Sequence, residues 1–255
     1  MTVLSTTSTA TPDSSTEPTA IATTPQAVDP ARLVAAVAGA GRFSWLGRSL
    51  SSPLRHRWLD VDYVGLENVP THGPVVLAAN HLAFIDSMLV MYSLDRPVTF
   101  LGKAEYLENP VARRLFPGIG MLPLDRSGRN SRVTLDRVGE ILADGGIIGL
   151  HPEGTRSRDG LLSRGHRGVA QIALRAGAPI VPVALLGTGE AQPVGQLVPN
   201  FRSRVEVRFG APIGLGRWAN SRRSARARQE LTEEVMDSIA SLSGQQRRVE
   251  SPAAA

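Results

Sequence analysis

The sequence predicts an α/β fold, a central and mostly parallel mixed sheet flanked by helices. Three observations predict it. Short runs rich in Val, Ile and Leu alternate with segments of helical period. Those runs are bounded by Gly, Pro and Asn, as strands are. The polar clusters fall directly after the apolar runs, and such sheets build their ligand sites beyond the carboxyl ends of their strands.

The elements follow in order. Residues 1–30 are mostly Ser, Thr, Ala and Pro, without Lys or Arg. They lack the basic start and apolar middle of a signal peptide and read as a disordered tail. Residues 31–58 combine Leu33, Val34, Val37, Phe43, Trp45 and Leu46 with arginines and almost no acid. This N-terminal amphipathic helical segment either lies in a membrane interface or packs on the domain's own core. Strands are expected at 61–65 and 74–80, then a helix at 86–94. Further strands follow at 97–103 and 120–125, with a short helix at 109–116 between them. Val133, Val138, Ile141 and Leu142 give 131–144 a helical period that ends at Gly145–Gly146. A buried strand at 146–151, a helix at 167–177 and strands at 178–187 and 204–210 come next. The helix at 224–242 closes the domain, and 246–255 is expected to be a flexible tail.

Charge narrows the partners. The first thirty residues hold three of the 23 acids and none of the 28 bases, so the remainder carries 28 bases against 20 acids, a net of +8. That balance suits an anionic membrane surface, phosphorylated substrates or nucleic acid. Nucleic acid fits least, because no aromatic stacking pattern runs among the arginines. Cysteine is absent, which excludes disulfides, thiolate nucleophiles and Cys-based metal sites. No apolar run approaches the ~18 residues of a membrane-spanning helix. Of the 28 bases, 27 are Arg and one is Lys103, whose ammonium differs from guanidinium in hydration and geometry.

Three clusters carry chemistry. In "AANHLAFIDS", His81 and Asp86 are five residues apart, about 140° on a continuous helix. A dyad therefore requires His81 on the loop leaving the strand and Asp86 in the first helical turn, where the carboxylate fixes the tautomer and leaves one ring nitrogen as a base. The other reading is a helix cap beside a solvated histidine. "HPEGTRS" ends a buried strand in a turn presenting Glu153, Thr155 and Arg156, with Gly154 allowing backbone N–H groups to approach an anion. "LPLDRSG" places Arg126 at another strand end, suited to an anion or to pairing with Asp125.

These blocks, in this order, resemble the glycerolipid acyltransferase family, especially the lysophosphatidic acid acyltransferases. Asn80, His81 and Asp86 match its Asn-His-x-x-x-x-Asp block. "GMLPLDR" with Arg126 matches the second block and Pro152–Arg156 the third, while Val181, Pro182 and Val183 match the fourth. Two positions depart from the pattern: His151 stands where the family usually has Phe, and "LSRG" replaces Phe-Lys-Lys-Gly.

The resemblance implies an acyltransferase domain over 59–245. His81, oriented by Asp86, would take the proton of a glycerol hydroxyl as it attacks an acyl thioester. Arg126, Arg156 and Lys103 would hold the acceptor's phosphate, the alternative for Lys103 being a structural ion pair, with Gly154 and Thr155 in the same substrate-binding turn and Glu153 organising the arginine or contacting the acceptor. The implied partners are lysophosphatidic acid, acyl-CoA or acyl carrier protein as donor, and an anionic membrane surface. No cofactor is implied, and the expected location is peripheral, on the cytoplasmic face of the cell membrane. Another acceptor, such as glycerol 3-phosphate, a lysophospholipid or a glycolipid, stays open, as does a non-catalytic membrane-binding module. No Gly-x-Ser-x-Gly elbow is present, and metal-ligand spacing for a His-based phosphoesterase is lacking.

Overall fold

The structure, a computed structural model, describes residues 29–38, 49, 57–125 and 131–248; residues 1–28 of the expected 1–30 tail and most of the expected amphipathic segment lie outside them, while Pro30 already opens a helix. Among the described residues, seven strands form one sheet: β1 (Asp60–Val64), β2 (Val75–Ala79), β3 (Val98–Lys103), β4 (Met121–Leu124), β5 (Ile147–Leu150), β6 (Ile180–Leu186) and β7 (Arg204–Phe209). Their order is β1-β7-β6-β2-β5-β3-β4. From β6 to β4 neighbouring strands are parallel, whereas β7 is antiparallel to β6 and β1 parallel to β7. The site end of the sheet therefore gathers five strand carboxyl ends and the starts of β7 and β1.

The helices are α1 (Pro30–Ala38), α2 (Asp86–Met91), α3 (Pro110–Leu115), α4 (Ser131–Ala143), α5 (Gly168–Ala176), α6 (Thr188–Ala191) and α7 (Ala225–Ser243). Both faces of the sheet are covered. Side chains on a strand alternate between faces, so Val76 and Ala78 of β2 join the core beneath α1, α4, α5 and α7. Val75, Leu77 and Ala79 join the other core, beneath α2. This double burial is why β2 is continuously apolar rather than alternating.

Two features differ from the sequence reading or refine it. The described part of the 31–58 segment packs on the domain: Leu33, Ala36 and Val37 are buried, while Val34 remains half exposed. The expected flexible tail begins later than 246, because Leu162 N–H donates to the Gln246 carbonyl at 2.9 Å and Arg248 N–H to the Leu162 carbonyl at 2.8 Å. Arg248 also grips both oxygens of Asp159, at 2.8 and 2.7 Å. Those partners are distant in sequence, so no local pattern signals the attachment. Among the described residues no helix is long and apolar enough to cross a membrane.

Candidate active site

The site grows from the adjacency of β2 and β5. Ala78 of β2 pairs with Leu150 of β5, so the two chains leave the sheet side by side carrying His81 and His151. His81 stands on the loop after β2, and Asp86 opens α2. The His81 Nδ1 lies 3.0 Å from the Asp86 Oδ2. The same oxygen accepts the N–H groups of Leu82 at 2.6 Å and Ala83 at 2.7 Å. One buried carboxylate thus curls the loop around itself and holds the imidazole, so capping and orienting are a single arrangement. Because the carboxylate only accepts, Nδ1 carries the hydrogen and Nε2 keeps its lone pair.

Neighbouring loops brace this turn. Ser157 N–H donates to the His81 carbonyl at 2.7 Å. Fully buried Asn80 binds both backbone groups of Leu185: its Oδ1 accepts at 2.7 Å and its Nδ2 donates at 3.0 Å, and Nδ2 also donates to Gln245 at 2.6 Å. The first residue of the Asn-His block therefore splices β2 to β6 and to the segment after α7.

Glu153 departs from the expected contact with acceptor or arginine. It is 3% exposed. Its Oε1 accepts the His81 N–H at 3.0 Å and its Oε2 the Ser163 N–H at 2.8 Å. Burial pushes its carboxyl from 4.5 to about 7, against the lowering effect of the Ser163 and His81 N–H groups. The acid faces backbone donors instead of the substrate space.

A cavity of about 540 Å³ opens beside His81, with Lys103, Gly154, Thr155 and Arg156 on its polar wall. Leu101, Met121, Leu150 and Ile172 supply an apolar side. That volume suits a sizeable organic ligand. Lys103 is the last residue of β3, and Gly154 takes the left-handed φ of 72° that the turn into Thr155 requires. Arg126 lies outside the described residues, directly after the cavity-lining Asp125. On the cavity lining, Phe84 meets Tyr106 edge-on with ring centroids 6.1 Å apart, and Phe116 packs against both. Among the described residues no cluster of three or more His, Asp or Glu is placed to hold a metal ion.

Sequence reasoning understated one residue. His151, expected only to alter the wall of the site, stacks on His81 with ring centroids 3.8 Å apart and planes within 6°. The adjacency of β2 and β5 that creates this contact has no local sequence signal.

Comparison with known proteins identifies relatives of this chain and a solved structure that shares its fold. A family model described as Acyltransferase matches residues 60–186. The 1-acyl-sn-glycerol-3-phosphate acyltransferase BAT2 of Brassica napus is 37% identical over 136 residues, which cover 52% of this chain and 39% of that protein. The lyso-ornithine lipid O-acyltransferase of Pseudomonas aeruginosa is 30% identical, covering 60% of this chain and 66% of that one. The chain spans about two fifths of the length of the first curated relatives it matches. The crystal structure of the 1-acyl-sn-glycerophosphate acyltransferase PlsC from Thermotoga maritima superposes with a TM-score of 0.57 at 22% identity, covering 84% of this chain and 81% of that one, and so shares the fold. With the Asn80–Asp86 turn, the Pro152–Arg156 turn and the shared sheet in place, the chain belongs to the glycerolipid acyltransferase family, its acyltransferase domain at residues 60–186.

Proposed function

We propose that this protein transfers a fatty acyl group from a thioester to the free hydroxyl of 1-acylglycerol 3-phosphate, making phosphatidic acid. The observation that carries this reading is the His81–Asp86 pair, held at 3.0 Å and open to a cavity walled by Lys103 and Arg156. The Nε2 lone pair of His81 takes the hydroxyl proton as that oxygen attacks the thioester carbonyl carbon. When the tetrahedral adduct collapses, the carbon–sulfur bond breaks and the leaving thiolate takes the proton back from Nε2. The products are an ester and a free thiol, and the histidine ends as it began. Lys103 and Arg156 bind the acceptor's phosphate and so fix the hydroxyl beside His81; Arg126, one residue past Asp125, joins them in this reading. The donor is acyl-CoA or acyl carrier protein, and no cofactor takes part.

The acceptor and product are lipids, and the protein works as a peripheral enzyme on an anionic membrane, at its cytoplasmic face. Exposed apolar side chains occur in two segments that adjoin cavity-lining residues. In one, Val194 lines the cavity and begins a stretch that exposes Leu197, Val198 and Phe201, with Trp58 edge-on to Phe201. In the other, α3 exposes Val111 and Leu115 beside Arg113 and Arg114, and Phe116, directly after α3, packs against the cavity-lining Phe84 and Tyr106. Arg202 lies over Phe201. Apolar tips mixed with arginine suit insertion among anionic headgroups.

The test is acyl transfer by the purified protein to lysophosphatidic acid, glycerol 3-phosphate and lyso-ornithine lipid, each with acyl-CoA and with acyl carrier protein. Preference for lysophosphatidic acid supports the reading. Preference for lyso-ornithine lipid would move the acceptor away from phosphate, and vesicle binding without transfer would make the protein a membrane-binding module.

A further inference from the structure

We propose that His151 is a positioning residue for His81: its flat ring lies against the imidazole and holds it in the one plane where Nδ1 meets Asp86 and Nε2 faces the cavity. The inference rests on the acyl-transfer reading for its kinetic consequence only.

A single hydrogen bond to Asp86 leaves an imidazole able to rock about that contact, and His81 borders open space. His151 closes one face of it, at 3.8 Å between centroids and 6° between planes. His151 is itself held firmly. Its Nδ1 lies 3.0 Å from the Ala79 carbonyl. A carbonyl only accepts, so Nδ1 carries the hydrogen, and in the neutral ring Nε2 accepts. The Ser87 hydroxyl is there to donate, at 3.1 Å. Phe100 touches the ring at 4.7 Å, seated over Gly149, where a Cβ would come within 2.3 Å of the Phe100 ring.

Asp86 and Ser87 are consecutive residues in the first turn of α2. One fixes His81 and the other His151, so a single helical turn sets the register of both stacked rings. The strands set it from the other side, since Ala79 ends β2 beside β5. Stacking also has a chemical consequence. When His81 takes the substrate proton, the new imidazolium faces the π surface of a neutral ring, an attractive arrangement.

Replacement by Phe keeps a flat ring, whereas Leu keeps bulk without one. Both lose the Ala79 and Ser87 hydrogen bonds and are expected to lower Tm alike. His151→Phe is expected to hold kcat within about threefold, and His151→Leu to lower it about tenfold or more, with the acceptor KM within about twofold in both. Independently of activity, the His81 ring protons in proton–carbon NMR should show upfield ring-current shifts in the unaltered protein and in His151→Phe, and lose them in His151→Leu. Equal kcat in Phe and Leu variants, or His81 shifts untouched by Leu, would overturn the proposal. Absence of turnover in the unaltered protein would count against the acyl-transfer reading alone, and the NMR comparison would still decide the positioning role.

Discussion

The carboxylate of Glu153 receives the backbone N–H of His81 at 3.0 Å, so the acid of the Pro-Glu-Gly-Thr turn serves the loop of the base. Its other oxygen receives Ser163 N–H, and burial lifts the carboxyl from 4.5 to about 7. The folded protein then binds this proton more tightly than the unfolded chain. The stability it contributes is complete below about pH 4.5 and is lost as pH rises through about 7, a change on the order of 3 kcal/mol. Urea denaturation of the unaltered protein and of Glu153→Gln should show their stability difference shrinking by that amount between about pH 4.5 and 8. A constant difference across that window would mean that the carboxyl ionises near its ordinary value.

His81 and Asp86 should separate activity from stability. The His81 side chain is 15% exposed and that of Asp86 is 0% exposed. His81→Ala is expected to cut kcat by at least about 10²-fold while costing under about 1 kcal/mol of stability. Asp86→Ala removes the acceptor for Leu82, Ala83 and His81 at once, and should lose activity together with about 3 kcal/mol. Kinetics paired with denaturant unfolding measures both. Near-native turnover by His81→Ala would end its assignment as the base.

Lys103 and Arg156 face the cavity from different strand ends, β3 and β5. Each charge-assisted contact to phosphate contributes roughly 1.5–3 kcal/mol, so Lys103→Ala and Arg156→Ala should each raise the acceptor KM about tenfold or more. The donor KM should stay within about twofold. Initial-rate measurements with donor and acceptor varied separately test this, and an unchanged acceptor KM in both variants would remove the phosphate role from these side chains.

The exposed apolar stretch beside Val194 offers a contrast with the far end of the sheet. Leu197 is 91% exposed and Phe201 59%, whereas Val64, 49% exposed, ends β1 at the opposite end from the cavity. Leu197→Ser and Phe201→Ser should each weaken cosedimentation with phosphatidylglycerol-containing vesicles about tenfold, the cost of losing one inserted side chain. Val64→Ser should leave binding unchanged. Equal effects at all three positions would detach membrane binding from the cavity end.

Much of the fold was legible in the order of residues. The strand runs at 74–80 and 146–151 and the helix at 131–144 lie within a residue or two of their observed bounds, because burial on both faces demands unbroken apolar runs and an exposed helix demands a 3.6-residue period. The dyad's local geometry was legible too: five residues is too far around a helix, which required a loop for His81 and a first turn for Asp86. What the tertiary structure decided are contacts between chain segments far apart in sequence. Periodicity carries no strand direction, so the reversal of β7 and β1 came only from pairing. Asn80 reads in sequence only as the first residue of the Asn-His block, and its partners are Leu185 and Gln245, over a hundred residues away. Glu153 turns from the cavity to the His81 backbone, and His151 meets His81, because β2 and β5 are neighbours. A sequence records which side chains leave the strands, but only the order of strands in the sheet decides which of them meet.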